Sequence, residues 1–162
     1  MKNPEIIVYT DGAARGNPGP GGYGAVLMHK SQRRELSQGY RLTTNNRMEL
    51  LAVIVALETL KIENSAVTVY TDSKYVSDAV EKKWIFQWEA KNFKKKKNPD
   101  LWKRFLAIYP KHQVKFIWIK GHANIPENER CDELAVKASE SNDLLVDEVY
   151  ESEINSDHGN LF

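Results

Sequence analysis

Residues 67–73 read VTVYTDS, five β-branched or aromatic residues closed by an aspartate and a serine. An unbroken run of that kind reads as a strand buried on both faces, and Asp72–Ser73 suits the cap of a helix that follows. The phrase has a twin near the start, EIIVYTD at 5–11, again closed by an acid, and a third run, QVKFIWI, at 113–119. Between the first two runs the pattern turns helical from Asn46 to Glu63, with Met48, Leu51, Ala52, Val55 and Leu60 on one stripe. Between the last two, helices are expected at about 74–80, 81–90 and from Pro99 to about 111. Strands separated by helices argue for parallel crossovers. Two further strands, about 23–30 and 33–43, are separated by Lys30–Ser31–Gln32 and read as an antiparallel meander. A final amphipathic helix is expected from Glu127 to about Glu140. The sum is an α/β protein with a mixed sheet flanked by helices.

A chain of 162 residues with 41% hydrophobic and 28% charged residues has the makings of one ordinary globular domain. Its longest apolar run, Leu50 to Leu57, is far short of a membrane span, and the first residues do not resemble a signal peptide. The single cysteine, Cys131, forms no internal disulfide and offers no thiolate cluster for zinc, so a cytoplasmic protein is expected. The net charge of +1 hides an asymmetry. All 23 Lys and Arg lie at or before Lys137, against 15 acids in residues 1–139, a net +8; residues 140–162 carry seven acids and no Lys or Arg. A basic body points to a polyanionic partner, although a solvated surface with a solubilising tail would look the same. The body is taken as one domain, residues 1–140, and residues 141–162 as an acidic, mobile tail.

Four acids recur at comparable structural positions. Asp11 and Asp72 each follow a strand directly, where open α/β sheets gather their sites. Glu49 lies near the start of the first long helix, among Met48, Leu51 and Ala52, and Asp132 lies in the second turn of the last helix. Any one of them alone would more simply be a cap or a solvated group. Together in one crevice they would repel one another and require a cation, and hard oxygen ligands favour Mg2+ or Mn2+.

The segments YTDGAARGNPGPGGYGAVL, TTNNRMELLAVIVAL, YTDSKYV and IKGHANIPENERCDELA together resemble the signatures of bacterial type 1 ribonuclease H, over about residues 5–140. The resemblance implies the ribonuclease H fold, a five-stranded mixed sheet with helices on both faces. It implies cleavage of the RNA strand of RNA–DNA hybrids, leaving 5′-phosphate and 3′-hydroxyl ends, with Asp11, Glu49, Asp72 and Asp132 holding two Mg2+ ions, or Mn2+ in their place. The family's mobile histidine falls on His122, whose glycine-containing loop permits movement and whose imidazole class exchanges protons near neutrality.

The same resemblance implies the substrate contacts. Asn17 and Thr44 match residues that grip a DNA phosphate. Asn45 and Asn46 match amides that sense 2′-hydroxyls, with helix capping as a second use, and Lys74 lies across the same groove. Residues 82–97, KKWIFQWEAKNFKKKK, match the family's basic protrusion: Lys94, Lys95, Lys96 and Lys97 would contact phosphates and Trp84 a sugar, whereas Trp88, Trp102 and Trp118 are expected in the core. The glycine-rich 16–24 lacks the GK[ST] ending of a phosphate loop and reads as a tight strand connection. A monomer is expected. The rival reading, a hybrid-binding module without catalysis, would require a missing acid, and none is missing. The last residues, Gly159–Asn160–Leu161–Phe162, bear a loose likeness to sliding-clamp-binding peptides; a tail without a partner is the simpler reading.

Overall fold

The computed structural model describes residues 3–159. Its strands are β1 (Glu5–Ala14), β2 (Gly19–His29), β3 (Gln32–Thr43), β4 (Ala66–Thr71), β5 (Gln113–Trp118) and β6 (Leu144–Leu145). Its helices are α1 (Asn45–Thr59), α2 (Lys74–Glu81), α3 (Trp84–Ala90), α4 (Pro99–Ile108), α5 (Pro126–Ser139) and α6 (Glu148–Gly159), with a 3-10 turn at Tyr109–Lys111. The six strands form one sheet in the order β5-β4-β1-β2-β3-β6. β1 pairs antiparallel with β2 and β2 with β3, while β1 with β4 and β4 with β5 run parallel, as the crossover argument requires.

The expected five-stranded sheet gains a sixth strand from the segment expected to be a mobile tail. Leu144 and Leu145 pair in parallel with Gly39 and Tyr40 of β3, and α6 follows. A buried ion network holds the segment in place. Arg47 in the first turn of α1 donates to Asp147 through Nε (2.7 Å) and Nη2 (2.9 Å) and to both oxygens of Asp100 (2.9 and 2.7 Å), and Asp147 also accepts from Thr43 Oγ1 at 2.8 Å. On the surface, Arg41 grips Glu151 with Nε and Nη2. Acids that look like a solvated tail in the sequence are therefore partners of arginines a hundred residues away. Asn160, Leu161 and Phe162, which carry the clamp-peptide likeness, lie outside the described residues.

Alternation along β2 separates two faces. Tyr23, Ala25 and Leu27 join the main core with α1, whereas a Cβ on Gly24 would fall 2.4 Å from Cys131 O of α5. Helices thus cover both faces, and the glycine lets α5 approach the sheet closely. Core residues include Val8, Val67, Val69, Phe116, Trp102 and Phe105. The one-sided stripe expected on α1 is too narrow: Leu50, Val53, Ile54 and Leu57 are fully buried as well, because α1 lies between the sheet and α4. Of the tryptophans expected inside, Trp102 is fully buried and Trp88 packs against the core. Trp118 is 43% exposed, since it ends an edge strand. Among the described residues no helix is long and apolar enough to cross a membrane.

Candidate metal centre and nucleic-acid face

The parallel pairing of β1 with β4 stops at Thr10 and Thr71. Beyond it β4 ends, while β1 continues against β2 as far as Ala14. Asp11 is therefore inside its strand and not at its end, contrary to expectation, and it sits where β1 loses one neighbour. Asp72 follows the last residue of β4 and faces the same opening. α1 reaches the opening because residue 12 has no side chain: a Cβ on Gly12 would lie 2.4 Å from both Glu49 N and Met48 C. Thr44 Oγ1 caps α1 by accepting from Arg47 N (3.2 Å), and Asn17 Oδ1 accepts from Asn45 N (2.9 Å). Asn45 Oδ1 in turn accepts from Ala14 N, which fastens the helix start to the end of β1.

As a result, carboxylate oxygens of Asp11, Glu49 and Asp72 all lie within 4.8 Å of one another. Asp132, His122, Asn45, Asn46 and Lys74 line the same hollow. Asp132 is outside the tight trio but near enough for its charge to raise both Asp11 and Asp72. His122 sits after Gly121 with a left-handed φ of 57°, its charge lowering Asp72.

Electrostatically the trio is out of balance. Burial and then the Asp72 charge push Asp11 up to about 7, against opposing help from Glu49 and the Gly12 N–H. Glu49 is raised well above the usual carboxylate range by burial and by Asp11 and Asp72. Asp72 is raised by burial, and Asp132 adds to it. Glu49 Oε2 is buried with no hydrogen-bond partner. An orphaned buried oxygen is costly unless something accepts its charge. These oxygens fit a divalent cation: hard donors, converging, with repulsion that such a charge would cancel.

The chain belongs to the ribonuclease H family. The family model, RNase H, matches residues 3–140. Ribonuclease H of Trichodesmium erythraeum is 56% identical, covering 93% of this chain and 98% of its own, and Ribonuclease HI of a Synechocystis species is 54% identical over 88% and 92%. Among solved structures, LC9-RNase H1 superposes with a TM-score of 0.78 at 31% identity (86% of this chain, 74% of that one). LC11-RNase H1, solved in complex with an RNA/DNA hybrid, gives 0.64 at 31% identity (83% and 96%). Ribonucleases H use divalent metal ions, in keeping with the carboxylate trio.

The remaining residues that the sequence pointed to divide into two groups. Asn17, Thr44, Asn46, Lys96 and Lys97 line a second hollow, together with Tyr150, Glu153 and Ile154 of α6. Asn46 lines both hollows, so the carboxylate hollow and these lysines adjoin. Trp84, Lys94 and Lys95 are exposed but border neither hollow. Trp84 is 40% exposed with Lys82 Nζ 5.2 Å above its ring, and Lys96 Nζ lies 4.9 Å from the ring of Trp88. Sequence reasoning did not assign α6 to this face; its acids gave no apolar period to read.

Proposed function

We infer that this chain is an endoribonuclease that hydrolyses the RNA strand of RNA–DNA hybrids, leaving 5′-phosphate and 3′-hydroxyl ends. The observation that carries the reading is the meeting of Asp11, Glu49 and Asp72 within 4.8 Å, with Glu49 Oε2 buried and unpartnered. In this proposal Asp11, Glu49, Asp72 and Asp132 hold two Mg2+ ions when substrate is bound, with Mn2+ able to substitute. Such cations supply an activated water for attack at phosphorus and neutralise charge on the departing 3′-oxygen.

The chain's own residues supply position. Asp11 and Glu49 are fixed by β1 and by the capped start of α1, so their geometry does not depend on a mobile loop. His122, on its exposed loop, takes or gives a proton at the edge of the hollow and hastens product departure. Asn45 and Asn46 present amides to 2′-hydroxyls, and Asn17 and Thr44 hold a phosphate of the DNA strand. Lys94 to Lys97 and Trp84 carry the hybrid further along the basic face without reading sequence. Because all four proposed ligands come from one chain, a monomer suffices, and the free Cys131 suits the cytoplasm.

The test is cleavage of end-labelled RNA–DNA hybrid, duplex DNA and duplex RNA, with Mg2+ or EDTA, by wild type and Asp11→Asn. Hybrid-specific, EDTA-sensitive cutting that the variant loses while still binding hybrid is the expected result. Binding without any cleavage by wild type would replace the enzyme with a hybrid-binding module.

A further inference from the structure

Trp118 is held in two ways beside the carboxylate hollow. Its Nε1 donates to the backbone oxygen of Asp72 at 3.0 Å, which fixes the ring against the end of β4. Its ring face carries the Lys74 ammonium, with Nζ 4.7 Å from the ring centroid. Lys74 is the first residue of α2, is exposed, and lines the hollow with Asp11, Glu49, Asp72 and His122.

Folding accounts for only part of this arrangement. A cation at a helix N-terminus opposes the helix dipole, and the α2 cap is already supplied by Ser73 Oγ, which accepts from Val76 N. Trp118 buries much of its ring, yet 43% of its surface stays in water, which core packing alone does not require. What the pair achieves is to hold one end of a flexible four-carbon stem at the rim of the hollow. The ammonium has three donors and no acceptor, so the N–H groups not directed at the ring suit phosphate oxygens and carry no base preference.

We propose that Trp118 is a positioning residue: its ring holds the Lys74 ammonium where it meets a backbone phosphate of the strand entering the carboxylate hollow. The proposal rests on the hybrid-cleaving reading above.

The test compares Trp118→Leu, Trp118→Phe, Lys74→Gln and the double variant Lys74→Gln/Trp118→Leu, measuring KM and kcat on hybrid across a salt series. Trp118→Leu raises KM about two- to five-fold, the range expected of an exposed cation–π contact, with kcat nearly unchanged and a shallower salt dependence. Lys74→Gln changes the same quantities, and the double variant is no worse than Lys74→Gln alone. Trp118→Phe keeps an aromatic face but loses the N–H to Asp72, and stays near wild type. An unchanged KM in Trp118→Leu would overturn the proposal, as would an equal penalty from Trp118→Leu in the Lys74→Gln background. A loss of kcat in Trp118→Phe would also overturn it, because the effect would then come from anchoring Asp72.

Proton NMR gives a readout independent of turnover. The Lys74 ε-methylene resonances are expected upfield under the ring current in wild type and near free-lysine positions in Trp118→Leu; no difference would count against the pair. Wild type and Asp11→Asn in the same assay separate the two levels. Wild-type inactivity on hybrid would sink both readings, while normal cleavage with an indifferent Trp118→Leu would sink this one alone.

Discussion

The carbon atom that Gly12 lacks would fall 2.4 Å from the backbone nitrogen of Glu49. That closeness lets a strand and a helix far apart in sequence bring Asp11 and Glu49 into one hollow. Gly12→Ala is expected to push α1 outward by a good fraction of an ångström. A displacement near 1 Å can cost about 100-fold in rate, so hybrid cleavage should fall by that order while hybrid binding falls less. Steady-state kinetics beside a thermal melt would check it; wild-type activity in a folded Gly12→Ala protein would show that the close approach is not needed.

Arg47 and Asp147 tie the segment that carries β6 and the start of α6 to the body of the fold. Their side chains are 3% and 9% exposed. Removing one member of such a pair leaves a buried charge short of a partner, so Asp147→Ala should lose about 3 kcal/mol or more in urea unfolding. Burial alone would raise Asp100, but the Arg47 guanidinium overrides it and holds that carboxyl below its ordinary range. A depressed carboxylate stabilises the fold above its unfolded pKa and loses that contribution as pH falls through the folded value. Acid unfolding of Asp100→Asn should therefore be less steep below about pH 4 than that of wild type. A loss under about 1 kcal/mol for Asp147→Ala would mean that β6 and the start of α6 are not held as described.

The carboxylate trio reverses that sign. Asp11 stands at about 7 against an ordinary 3.8, so its contribution to stability is present below about pH 4 and is lost as pH rises through about 7. Glu49 is raised as well and acts in the same direction. In EDTA, the melting temperature is expected to fall between pH 5 and pH 8, and Glu49→Gln should flatten that fall. Excess Mg2+ at pH 8 should recover it by mass action, at roughly 2–4 °C per kcal/mol for a domain of this size. Melts insensitive to Mg2+ at pH 8 would speak against a cation among these oxygens.

Replacing Lys94, Lys95, Lys96 and Lys97 with glutamine should raise KM for hybrid and leave kcat almost unchanged. Every phosphate that no longer meets a lysine should make the log–log salt dependence shallower, by up to about 0.9. An unaltered slope would remove these lysines from the binding face.

Much of this molecule can be read from its sequence because the signals are local. The runs IIVYT and VTVYT announce buried parallel strands, and the acid after each marks the place where the pairing ends. The unread parts depend on partners far away in the chain. Leu144–Leu145 is too short to announce a strand, and Asp147 looks solvated until Arg47 is seen inside the protein. Asp11 looks terminal until β2 is seen to carry β1 on to Ala14. Trp118 looks like core by composition, yet at the end of an edge strand it stays 43% exposed, with Lys74 of α2 over its ring. Its pairing with Lys74 depends on a fold that joins the ends of β4 and β5.

The most direct test of the metal centre is a Mn2+ titration followed by electron paramagnetic resonance, with wild type, Asp11→Asn, Glu49→Gln and Asp72→Asn compared in the presence of uncleavable hybrid. Wild type should remove free Mn2+ from solution at concentrations that support cleavage, and each variant should bind more weakly and cleave correspondingly less. Equal Mn2+ binding by all four proteins would contradict the assignment of these carboxylates.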